Sequence, residues 1–148
     1  MQVLNSHLLN RSVILLPAVT IGAAVTGQLS AVLSKVPGVA VATFQATFLY
    51  GAAGTTVKAW IQTSLDGEDT WFDIANFAFL LTAAKKISSV KATIAVAAAY
   101  VPTDATLADD TIKDGLLGNA FRVKYTSTGT YTGATSLAVY ASFQGYLA

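Results

Sequence analysis

Few side chains in this sequence could do chemistry, and they are scattered. The one histidine, His7, lies near the start, and the 148 residues contain no cysteine. A Ser–His–acid triad needs its imidazole held within hydrogen-bond reach of both partners, so a lone histidine beside the N-terminus reads as a surface or interface residue. Without cysteine there are no disulfides, thiolate metal ligands or thiol nucleophiles. Carboxylates gather in two places, Asp66, Glu68 and Asp69 with Asp73 beyond, and Asp109 and Asp110 with Asp114. Clustered carboxylates are what a hard cation such as calcium takes, and a pair flanking a sugar is what a glycosidase uses. Neither cluster has EF-hand spacing and both fall in loops, so solvated turn acids are the plainer reading. No metal, no cofactor and no catalytic residue is expected, and the chain reads as a non-enzyme. Six aromatics, Trp60, Trp71, Tyr100, Tyr125, Tyr131 and Tyr140, could stack as a platform for sugars. On strands, such residues more often belong to a core or a subunit interface.

The elements that must position these residues centre on 55–80, which reads as two strands folded around the Asp66-Gly67-Glu68-Asp69 loop. Val57, Ala59, Ile61 and Leu65 share one parity, while Lys58, Gln62 and Ser64 share the other. That is the period of a half-buried strand. Trp60 falls on the polar parity, so its ring is expected against a neighbouring chain or the far side of the hairpin. Trp71, Phe72 and Ile74 open the return arm, and Asp-Gly suits a reversal because glycine tolerates positive φ.

The N-terminal third carries almost no charge, with Lys35 alone between Arg11 and Lys58. A membrane helix over 12–34 is opposed by Pro17, Gly22, Gly27 and Gln28 and by several hydroxyls. A cleaved leader fits poorly with the long, weakly basic segment before the apolar run, and none is expected. Segments 12–16, 19–26 and 28–34 read as short extended pieces broken by Pro17 and Gly27. They are expected as an arm over residues 1–37, laid in a groove or added to a neighbour's sheet. The residues assigned to assembly are Val13, Ile14, Leu15, Leu16, Val19 and Ile21 in the arm, with Trp60 and Tyr140 on otherwise polar strand faces. A chain lacking residues 1–33 is then expected to fold.

Residues 38–148 read as the folded domain. After the turn signal Val36-Pro37-Gly38, 38–50 alternates as a long strand, and so does 88–100 through Val90, Ala92, Ile94, Val96, Ala98 and Tyr100. Its β-branched members disfavour the helical alternative over 92–99. The stretch 101–119 is irregular and holds half the acids. Phe121, Val123 and Tyr125, then Leu137, Val139, Ala141 and Phe143, mark the last strands. Regularly spaced strands with glycine-rich turns give an all-β antiparallel sandwich, jelly-roll or immunoglobulin-like.

Composition points to assembly. The chain is 53% hydrophobic and 11% charged, against about 25% charged in ordinary domains. Surface so poor in charge favours self-association, as in a subunit packed among neighbours. A net charge of +1 without a Lys/Arg run, a phosphate loop or a basic aromatic stripe gives no support for a nucleic-acid partner.

The string VKAWIQTSLDGEDTWFDIANFAF and the later DGLLGNAFRVKYTSTGTYTGATSLAVYA resemble small virion structural proteins of tailed bacteriophages and prophages. The shared features are the V-x-x-x-I-Q-T-S-L-D-G-x-x-T-W-x-D-I-A hairpin and the late R-V-K-Y-T-x-T-G-T-Y-T-G strand pair. The resemblance covers 57–141. It implies a non-enzymatic capsid decoration or cement subunit, or a neck, tail or fibre-attachment ring component. The implied partners are the major capsid protein or other virion subunits and further copies of the chain, with no membrane. The implied location is the virion, assembled in the bacterial host cytoplasm. A carbohydrate-binding β-sandwich on the virion is the competing class.

Overall fold

The computed structural model describes residues 8–36 and 38–146. His7 and the Pro37 of the expected turn lie outside the described residues. Ten strands follow in order: β1 (Leu8–Thr20), β2 (Val25–Leu29), β3 (Val39–Leu49), β4 (Ala52–Ala53), β5 (Thr56–Ser64), β6 (Phe72–Phe79), β7 (Ala84–Lys91), β8 (Ala120–Thr128), β9 (Tyr131–Thr132) and β10 (Ser136–Tyr146). Among the described residues no helix is long and apolar enough to cross a membrane.

Sheet I has the order β1-β10-β3-β7 and sheet II the order β2-β8-β5-β6, with a small β4-β9 ribbon. All pairings are antiparallel. With the two-residue strands set aside, β1 pairs β10, β2 pairs β8, β3 pairs β7 and β5 pairs β6. These pairs nest one inside the next, as in one long hairpin rolled over on itself. That is a jelly roll, the double-sheet form of the expected sandwich.

Period-two alternation supplies the core. Phe44, Ala46 and Phe48 of β3 and Leu137 and Val139 of β10 face Val57, Ala59 and Ile61 of β5 and Phe121 and Val123 of β8, all buried. Phe143 meets Phe121 with ring centroids 4.6 Å apart and Phe44 edge-on at 6.3 Å. Each ring so buried contributes roughly 1.5–3 kcal/mol.

Two expectations are corrected here. Of the arm expected over residues 1–37, the described residues 8–36 do not lie apart from the domain: β1 is a full strand of sheet I and β2 a strand of sheet II. Leu15 and Leu16 are both core residues at 3% exposure. Consecutive residues can both point inward because the β1–β10 register shifts between Ile14 and Leu16, the signature of a bulge. Pro17 is tolerated because β1 is an edge strand. Nor does the strand expected over 88–100 run its length; β7 ends at Lys91. The Lys91 amide turns to the Asp114 carboxylate and its carbonyl to the Gly115 amide. The chain then leaves the sheet, and Ile94 and Val96 are exposed.

Candidate functional site

The outer faces of the two sheets differ, and each holds some of the residues singled out in the sequence. On sheet I the register aligns Ile14 with Tyr140, Tyr140 with Gln45, and Gln45 with Ile87, one row across all four strands. Their chain neighbours Phe44, Val139 and Ala141 point into the core, so this row points outward. Ile14 is 60% exposed, Ile87 64% and Tyr140 41%. The next outward row is hydroxyl-bearing, with Ser12, Ser142, Thr43 and Ser89 in register and Thr43 bonded to Ser89 at 2.8 Å. Together these side chains line a shallow, mainly apolar groove. Among the described residues, the charged side chains on this face are Lys85 and Lys91, both on β7, in register with the outward Thr47 and Val41.

The outer face of β5 and β6 is covered instead. Residues 103–113 of the segment 92–119 lie against it as a strap, and acids of the sequence are the anchors. Asp73 is fully buried. Its carboxylate accepts from the Ala105, Thr106 and Leu107 amides at 3.0–3.1 Å and from Gln62 Nε2 at 2.9 Å. Gln62 also donates to Asp104 and accepts from Arg122 Nε. Lys124, Lys58 and Lys86 pair with Asp104, Asp109 and Asp110 of the strap at 2.7–2.8 Å. Hydrogen bonds from Lys124 and Gln62 hold the Asp104 carboxyl below its ordinary value. Burial lowers Arg122, with the Asp104 charge opposing that shift. Backbone bonds from Asp73 to Thr103 and from Asn76 to Thr111 tie the strap to β6.

The remaining acids stay in their turn. Asp66 Oδ1 accepts from the Thr70 amide and the Ser64 hydroxyl, and the Thr70 bonds are what lower its carboxyl. Glu68 there takes a positive φ of 75° beside Gly67 at 73°.

The six aromatics do not make one platform. Trp60 lies under the strap and donates its Nε1–H to the Leu107 carbonyl, so its cover is this chain's own strap, in place of the neighbouring chain or the far side of the hairpin that the sequence suggested. Arg122 caps Trp71 at 4.3 Å. Tyr100 packs edge-on against Phe72 and under Lys113. Tyr131 is buried beside Phe48 and Tyr50, where burial raises its phenol. Tyr125 is half-buried and likewise raised by burial. Tyr140 alone of the six stands on sheet I's outer face.

Of the residues assigned to assembly, Ile14 and Tyr140 are brought together as register partners on an open face. Leu15, Leu16 and Ile21 are core, and Val13 and Val19 pack against it half-buried. Leu15, Leu16 and Ile21 are thus spent on this chain's own core, and Trp60 is covered. Ile87 was missed. Its signal was the one that marks Tyr140, a large apolar residue on the polar parity of its strand.

Models of known protein families and characterised protein sequences give no match to this chain.

Proposed function

We propose that this chain is a non-enzymatic structural subunit of a bacteriophage virion, a capsid decoration or cement protein that stabilises a shell through contacts between subunits. The observation carrying this reading is the open row Ile14–Tyr140–Gln45–Ile87, an apolar stripe on an otherwise polar strand face of a charge-poor chain. Such stripes mark contact surfaces. Burying apolar surface there contributes on the order of 25 cal/mol per Å2, and symmetric repetition multiplies a modest contact into avidity. The sequence resemblance points the same way, and the jelly roll is a fold used by viral capsid domains and also by lectins. Asp73, Asp104, Asp109 and Asp110 are engaged with amides and lysines that hold the strap, a structural use for those acids.

The test is reconstitution. Shells of the phage that encodes this chain, assembled without it, are mixed with the purified protein and sedimented. The protein is expected to pellet with the shells and to raise the temperature at which they come apart. Protein left wholly in the supernatant overturns the reading. Electron microscopy of the decorated particles separates a capsid position from a neck or tail ring.

A further inference from the structure

We propose that the outer face of sheet I is where a second copy of this chain docks, face to face, about a two-fold axis running along the strands. The inference rests on the subunit reading above and specifies its copy-to-copy contact. Size is the first argument. The face is four strands wide and eight to eleven residues long on β7 and β3. At about 4.8 Å per strand and 3.3 Å per residue it measures roughly 19 Å by 30 Å. The projected area is on the order of 600 Å2, and the pleated accessible area is larger, close to the roughly 800 Å2 per partner of a stable interface.

Charge is the second argument. The centre of the face sets Ile14, Tyr140 and Ile87 beside the one amide of Gln45, and its next row carries only hydroxyls, with no carboxylate among the outward residues in register. Lys85 and Lys91 stand on β7, the strand at one margin. A two-fold axis along the strands carries β7 of one copy over β1 of the other, so the lysines of the two copies lie at opposite margins and do not meet. An isologous contact asks only that a surface match itself, and this neutral centre does. An acidic partner would find charge at one edge alone. The geometry would repeat outside the subunit the aligned sheet-on-sheet packing that already forms its core.

The experiment uses the full chain. Sedimentation equilibrium across the micromolar range is expected to show a dimer that persists at high salt. Ile14→Asp and Ile87→Asp, both at exposed positions, are each expected to weaken it on the order of 100-fold, with the thermal midpoint unmoved at concentrations where the chain is monomeric. The chain has no cysteine, so Tyr140→Cys introduces a single thiol. Packed sheets stand about 10 Å apart, beyond disulfide reach, so Tyr140→Cys is expected to give a covalent dimer with a short bis-maleimide cross-linker, whereas Thr82→Cys in an exposed loop is not. A monomer at every concentration, or a dimer indifferent to both aspartates, overturns the proposal. If the chain is monomeric alone and the aspartates abolish shell binding, the face belongs to a different partner. The second-copy proposal then fails while the subunit reading stands. If the dimer behaves as expected but never joins a shell, the proposal holds and the subunit reading fails.

Discussion

The outer face of β5 and β6 in sheet II is covered and polar beneath; the outer face of sheet I is bare, with Ile14, Tyr140 and Ile87 along its middle. Under the strap lie Gln62, Asp73 and Asn76; the strap offers a carboxylate to Gln62 and amides to Asp73 and to Asn76 Oδ1, and a carbonyl to Trp60 beside them. Buried polar groups are costly unless paired, so that cover is specific to one sequence and belongs to the fold. Sheet I offers Ile14, Tyr140 and Ile87 to whatever lies outside. The difference teaches where to look for contact surface: at the face that the chain does not cover for itself, and away from its acid clusters.

The largest perturbation tests the role of the N-terminal strands. Deleting residues 1–33 removes β1 and β2 with Leu15, Leu16 and Ile21, and the remainder is expected to show no cooperative urea transition; a folded remnant would restore the arm. Asp73→Ala comes next. It strands three strap amides and Gln62, and is expected to cost about 3 kcal/mol, read from the urea midpoint, with Trp60 fluorescence shifting to the red as the strap lifts. Trp60→Phe removes one bond to the strap and is expected to cost about 1 kcal/mol.

Acid provides a graded version of the same test. Asp104 has a folded pKa below its ordinary 3.8. Its contribution is therefore present above that value and is lost as pH falls through the lower folded value. Lys124→Met is expected to flatten this limb of the stability–pH curve. The smallest effect belongs to the bare face. Ile87→Ser is expected to change stability by no more than about 0.5 kcal/mol, and a cost matching that of Asp73→Ala would erase the distinction between the two faces.

The sheets were readable where alternation is strong. The β5–β6 hairpin, the β3 strand and the last two long strands follow from the parity of their apolar residues, and the sandwich follows from them. What alternation cannot say is which partner lies beyond a face. Trp60 looked like a contact residue because its cover arrives through Leu107, far along the chain. Leu15 and Leu16 looked like assembly residues because a core strand and a docking arm share the same apolar signature, and the bulge that turns both inward leaves no mark in the sequence. The segment 92–100 alternates as a strand does, yet Asp114 and Gly115 bond Lys91 as the chain leaves the sheet. The acids resembled a cation site because anchoring amides and binding calcium call for the same carboxyl groups.

One pairing constrains how the molecule comes into being. Leu8 lies opposite Tyr146, so β1 must wait for β10, which is made well after it. Until then Leu15 and Leu16 lack a finished home, and the nested topology demands closures spanning nearly the whole polypeptide, which slows folding. β10 must clear the ribosome before the roll can shut. A chain that lacks β10 thus leaves β1 without a partner and sheet I unfinished.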